Sequence, residues 1–195
     1  WLDQVQSDAK DLFLLGDLFD FWFEYKTAVP RGFVRFLGKL SALADQGINI
    51  HIFVGNHDLW MWDYLERELG AKIYREPSDL KITSTNTSFQ LHIGHGDGLG
   101  PGDKGYKFLK KVFENKFCQW CFARLHPNFG LGLANFSSRT SRAKTGNDDE
   151  VFNGKENEWL YVFCNEYLEK EHIDLFVFGH RHLPLNIELD KNSRY

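Results

Sequence analysis

The chain has 195 residues, 43% of them hydrophobic and 16% aromatic, with a net charge of −4. That is enough apolar mass for one sizeable α/β domain and too much for a disordered chain. The acidic balance excludes a protein that binds nucleic acid through its overall charge, and no run approaches the roughly 18 apolar residues of a membrane span.

Residues before Asp11 read as the end of a helix. The first strand is expected in "DLFLLGD" (Asp11 to Asp17), a short apolar run closed by Gly-Asp. A helix follows in "RGFVRFLGKLSALADQG", with Gly47 as its stop. The second strand is expected in "INIHIFVGNHD" (Ile48 to Asp58), and a second helix in "DLWMWDYLERELG", closed by Gly70. Asp58 could serve as the N-cap of that helix. The third strand is expected in "FQLHIGHGD" (Phe89 to Asp97), where Asp97 could cap the turn after His95. The last is expected in "IDLFVFGHRH" (Ile173 to His182). Strand and helix alternate, which argues an α/β sheet.

All four strands end alike, in glycine followed by Asp, Asn or His. Ligands of open α/β sheets bind beyond the carboxyl ends of the strands. The polar residues placed there are Asp17, Asp20, Asn56, His57, Asp58, His95, Asp97, His180 and His182. Carboxylates and imidazoles without a thiolate suit Mn²⁺, Fe or Zn²⁺. A histidine pair at i and i+2 past a strand can reach two metals about 3.5–4 Å apart, with one carboxylate such as Asp17 bridging them. His51 and His92 lie within strands and His172 near a helix end, so these three read as structural.

The motifs "GDLFD", "GNHD", "GHGD" and "GHRH", in this order, resemble those of the calcineurin-type metallophosphoesterases. The resemblance implies a two-sheet sandwich flanked by helices, with a dinuclear centre of two divalent ions, Mn²⁺ first and Fe or Zn²⁺ as the others. It implies that Asp17 bridges the metals and that Asn56, His95 and His180 complete one site. His182 would bind the other metal. His57 would contact the substrate and assist the leaving group, oriented by Asp20. The family's opening Asp-x-His does not occur in this chain. The reading is therefore a single domain over residues 1–195, with the family's opening Asp-x-His strand expected upstream of Trp1 and its closing strands after Tyr195.

"GDLFDFW" is similar to the UDP-2,3-diacylglucosamine hydrolases of lipid A synthesis, which release UMP and 2,3-diacylglucosamine 1-phosphate. The best-known of these have Arg where this chain has His57, which points to a related branch.

Between about residues 100 and 157 an insertion reads as a helical lid. From Pro101 to Thr145 nine Lys/Arg face only Asp103 and Glu114, a net +7 that leaves −11 elsewhere. "GYKFLKKVFENKFCQWCFARL" is amphipathic, with Tyr106, Leu109, Phe113, Trp120 and Leu125 at about helical spacing. Lys107, Lys110, Lys111, Lys116 and Arg124 mark the other face. Cys118 and Cys121 read as two helix-borne thiols. With Cys164 they make an odd and sparse set, which fits free thiols in a reducing compartment. A basic, aromatic helix suits a membrane surface or an acylated substrate. Phe113 and Trp120 are expected to contact the acyl chains, and Arg139, Arg142 and Lys144 the phosphates. Taken with the resemblance, the expectation is a bacterial cytoplasmic hydrolase, peripheral to the inner membrane, that cleaves the pyrophosphate of a UDP-linked glycolipid. A phosphoesterase acting on a soluble nucleotide, and a metal-poor scaffold that binds a protein partner, stand as the alternatives.

Overall fold

The structure is a computed structural model and describes residues 1–83, 87–101, 104–134, 136, 151–152, 154–189 and 192–195. A short helix α1 (Leu2–Val5) leads into β1 (Asp11–Leu14), α2 (Val34–Asp45), β2 (Asn49–Phe53), α3 (Tyr64–Leu69) and β3 (Lys72–Tyr74). Strands β4 (Ser78–Thr83) and β5 (Ser88–Gly94) follow, then α4 (Lys104–Glu114) and α5 (Lys116–Phe122). Residues 127–134 are helical (α6), and α7 (Trp159–Leu168) and β6 (Leu175–Phe178) complete the order.

Two three-stranded sheets form, β1-β2-β3 and β4-β5-β6. The first is parallel throughout, with Leu14 opposite Ile52. In the second, β4 runs antiparallel to β5, and β6 runs parallel to β5 with Gly94 opposite Phe178. Parallel register brings the carboxyl ends of β1 and β2 to one edge, and those of β5 and β6 likewise.

Alternation along each strand explains why the sequence runs are almost continuously apolar. Leu12, Leu14, Ile50 and Ile52 pack outward under α2 and α3, with Leu40, Leu43 and Leu65. Phe13 and Phe53 turn the other way, onto Leu91, Ile93 and Val177 of the second sheet. Phe176 packs on the outer face of that sheet against Cys164 and Leu168 of α7. The order of layers is helix, sheet, sheet, helix. The three histidines read as structural lie apart from the four strand-end loops. His51 lies 3.1 Å from the Tyr74 hydroxyl, His92 lies 2.5 Å from Asp79, and His172 lies 3.0 Å from Asp174.

Three local expectations change. Asp58 does not cap α3, which starts at Tyr64. The buried Glu24 carboxylate instead accepts from the Asp63 and Tyr64 amides at 3.0 and 3.2 Å, satisfying orphan donors from a distant segment. Asp97 does more than cap its own turn, because its carboxylate accepts from Tyr106 and Lys110 of α4. The expected single helix over residues 105–125 is two. Asn115 is extended, and its side chain accepts from the Phe117 and Cys118 amides at 2.9 and 3.2 Å, capping α5. Cys118 and Cys121 sit on α5 and Cys164 is buried on α7, all three as free thiols.

Candidate active site

The four loops past β1, β2, β5 and β6 converge, and small residues permit it. Gly16 has φ +85, and a Cβ there would come within 2.5 Å of His95 Nδ1. Gly55 packs against the Asp17 main chain and carboxylate so closely that a Cβ would collide with both. Asp17 itself has φ 51, an uncommon conformation for a side-chain-bearing residue. It is over-determined by its surroundings: Asp17 Oδ1 accepts from the His57 amide at 2.8 Å.

Asp17, Asn56, His95 and His180 come together. His95 Nε2 lies 3.4 Å from Asp17 Oδ2, 3.0 Å from Asn56 Oδ1 and 3.0 Å from His180 Nδ1. One ligand atom from each of Asp17, His95 and His180 lies within 4.8 Å of the others. His95 Nδ1 lies 2.6 Å from the Leu15 carbonyl oxygen, which can only accept, so Nδ1 carries the proton and the Nε2 lone pair faces the cluster. Convergent lone pairs with a carboxylate among them repel one another unless a cation lies between them. The Asp17 carboxylate makes positive charge favourable at this place. Burial pushes the His95 imidazole down, but the Asp17 carboxylate outweighs it and the net shift is upward. Burial pushes Asp17 up, yet His95 and His57 hold it below the usual carboxylate range. The donor set therefore fits a divalent ion bound by one carboxylate, one amide oxygen and two imidazoles.

Asp58, counted among the strand-end polar residues, acts here as a tie between loops. It is fully buried, and its two oxygens accept from the Leu18 amide at 2.8 Å and the Gly55 amide at 2.6 Å. It joins the loop carrying Asp17 to the loop carrying Asn56. Burial and the nearby Asp17 charge push its carboxyl up to about 6. The amides of Gly179 and His180 bond to the His95 carbonyl at 3.0 and 2.9 Å, tying the other two loops together.

The remaining expected residues are placed as follows. His57 lies beside the cluster, its Nε2 4.0 Å from Asp17 Oδ2. Its Nδ1 lies 3.2 Å from the main-chain carbonyl of Asp20, so that residue touches His57 through its backbone. His182 is exposed and is not among the converging donors. Phe113 lines a cavity of about 330 Å³ that opens onto Asn56 and His57. Trp120 does not line it: its ring is 52% exposed on α5, stacked on Phe117 with the Arg124 guanidinium 3.4 Å over it. Arg139, Arg142 and Lys144 lie outside the described residues.

The cavity walls were anticipated in part, through the apolar face of Tyr106, Leu109 and Phe113. They include Phe21 and Trp22 after β1, Leu59 and Trp60 after β2, Tyr106 and Leu109 on α4, Phe122 on α5 and Leu133 on α6. The signal was present in part, since Phe21 and Trp22 directly follow the Asp17 and Asp20 motif.

Residues 1–184 match the family described as calcineurin-like phosphoesterase. The chain belongs to that family. It is 36% identical to a UDP-2,3-diacylglucosamine hydrolase of Porphyromonas gingivalis over 206 residues, covering 100% of this chain and 77% of the relative. A relative of the same name from Hahella chejuensis is 28% identical over 184 residues, covering 94% of this chain and 72% of the relative. One from Shewanella sp. (strain W3-18-1) is 26% identical over 194 residues, covering 100% and 76%. The chain is thus a hydrolase of a family that works with divalent metals, and its α/β sandwich agrees with the expected fold class. No helix among the described residues is long and apolar enough to cross a membrane.

Proposed function

We propose that this protein hydrolyses the pyrophosphate of UDP-2,3-diacylglucosamine to UMP and 2,3-diacylglucosamine 1-phosphate. The observation that carries the reading is the apolar cavity of about 330 Å³ joined to the donor cluster at Asn56 and His57. A soluble nucleotide has no use for a wall of Phe21, Trp22, Leu59, Leu109, Phe113 and Phe122, whereas an acyl chain gains roughly 0.8 kcal/mol per buried CH₂ there.

Asp17, Asn56, His95 and His180 would hold a first divalent ion, with Mn²⁺ put first on the family resemblance and Fe or Zn²⁺ as the other candidates that carboxylate and imidazole donors suit. Asp17 and His182 would serve the second. A divalent cation bound there supplies Lewis-acid polarisation of a phosphoryl oxygen and lowers the pKa of water. His57 meets the phosphate at the mouth of the cavity, and the apolar wall fixes the direction in which the acylated half leaves. Arg139, Arg142 and Lys144 would receive the second phosphate.

An assay in detergent tests the reading. UMP release from UDP-2,3-diacylglucosamine should exceed release from UDP-N-acetylglucosamine by orders of magnitude, and equal rates would sink the proposal. Phe122→Ala should raise KM for long-chain substrate by about tenfold, roughly the 1.4 kcal/mol expected from about 55 Å² of lost apolar contact. The effect on a short-chain analogue should be smaller.

Membrane association belongs to the same proposal. Phe108, Phe117, Trp120, Phe129 and Phe136 are exposed, and Lys104, Lys111, Lys116 and Arg124 are exposed on the same segment. This composition suits an anionic lipid surface, here the cytoplasmic face of the inner membrane. Phe117→Ala combined with Trp120→Ala should lower co-sedimentation with anionic vesicles, without changing turnover of detergent-dispersed substrate. Unaltered co-sedimentation would remove this face from the interaction.

A further inference from the structure

Asp97 follows His95 by two residues and is 7% exposed. Its Oδ2 accepts from the Tyr106 hydroxyl at 2.5 Å and from Lys110 Nζ at 2.9 Å. Tyr106 and Lys110 are four apart on α4, hence on one face of the helix. No residue of α4 is fully buried, so side-chain packing alone holds it weakly. Besides an edge contact between the Phe113 and Trp60 rings, 5.5 Å between centroids, two further hydrogen bonds tie it to the body. Lys107 Nζ donates to the Gly100 carbonyl at 2.6 Å, and the Trp60 indole donates to the Phe113 carbonyl at 2.7 Å. Asp97 belongs to the loop that carries His95, and Trp60 to the loop that carries Asn56 and His57. Between these two attachments α4 presents Tyr106, Leu109 and Phe113 to the cavity.

We propose that Asp97 and Lys110 are positioning residues that latch α4 across the active site, so that the apolar cavity exists only while their ion pair holds. The latch thereby sets the preference for acylated over small phosphoesters, a step that rests on the lipid reading above. The pair is well placed for this, since the side chains are 19% and 6% exposed for Lys110 and Asp97. Removing Lys110 leaves a buried carboxylate with one donor fewer, a change that costs far more than loss of a surface pair. Neither side chain lies among the converging donors, so the latch governs where the substrate's apolar part sits.

Lys110→Met and the conservative Lys110→Arg test it with the full chain. In Lys110→Met, amide hydrogen exchange over residues 104–114 should speed up by at least about tenfold, with β2 and β5 unchanged as controls for folding. KM for the diacylated substrate should rise about tenfold, while kcat/KM for bis(p-nitrophenyl) phosphate stays within about twofold. Lys110→Arg should restore both readouts. Unchanged exchange in α4 overturns the latch whatever the substrate proves to be. Faster exchange with an unchanged KM overturns its role in specificity, and equal losses on both substrates overturn it too. If the wild-type protein shows no preference for the acylated substrate, the proposed function fails, and the exchange measurement alone decides the latch.

Discussion

Asp17→Asn should abolish turnover and strip bound metal while leaving the fold intact. Asparagine matches aspartate in size and is among the few residues that tolerate positive φ, so the turn at φ 51 survives. An amide oxygen can still accept from the His57 amide, now 2.8 Å from Asp17 Oδ1. What disappears is the negative charge 3.4 Å from His95 Nε2. The other donors of the cluster, Asn56, His95 and His180, are neutral when bound to metal, and neutral donors alone hold a hard divalent ion poorly. His180→Ala removes a different corner of the cluster and should act in the same direction. The measurements are metal content after dialysis, circular dichroism and turnover. Near-wild-type turnover by Asp17→Asn with metal retained would remove Asp17 from the site.

The strand ends were legible because β1, β2, β5 and β6 are covered on both faces. Such strands read as uninterrupted apolar runs, and the change to Gly, Asp, Asn and His marks where the cover ends. The 105–125 segment was less legible. Asn115 looks like any polar residue on a helix face, yet its side chain caps α5 and breaks the phase of the amphipathic pattern. Past that break the 105–125 period no longer says which aromatic turns inward: Trp120 was expected to contact the acyl chains, and it is Phe122 that lines the cavity. Asp58 misled for a related reason. An Asp before a helical run reads as a cap, but α3 is served by Glu24 from about 40 positions away. Asp58 is thereby left to tie two ligand loops. Contacts of that range leave no local trace. The pairing of Asp97 with Lys110 spans 13 positions and is equally silent in the sequence, where Lys110 reads as one more solvated lysine.

His57→Ala should retain metal and lose rate, by about the 10²–10⁴-fold that positioned acid–base assistance contributes. The residue borders both halves of the site, lining the cavity and lying beside Asp17. With Nδ1 held 3.2 Å from the Asp20 carbonyl, the tautomer is set and Nε2 is left on the side of the donor cluster. In the imidazolium form, Nε2–H can donate to a phosphoryl oxygen as charge grows on it, or pass its proton to the leaving oxygen. The Asp20 interaction recorded here runs through a main-chain carbonyl, so Asp20→Ala preserves it and should cost much less than His57→Ala. Loss of the imidazole leaves the backbone amide that supports Asp17 in place, which is why metal content should hold. Single-turnover kinetics separate the outcomes, because they read the chemical step apart from product release. An unchanged single-turnover rate in His57→Ala would confine His57 to lining the cavity. A loss of metal together with rate would place it in the support of Asp17 instead.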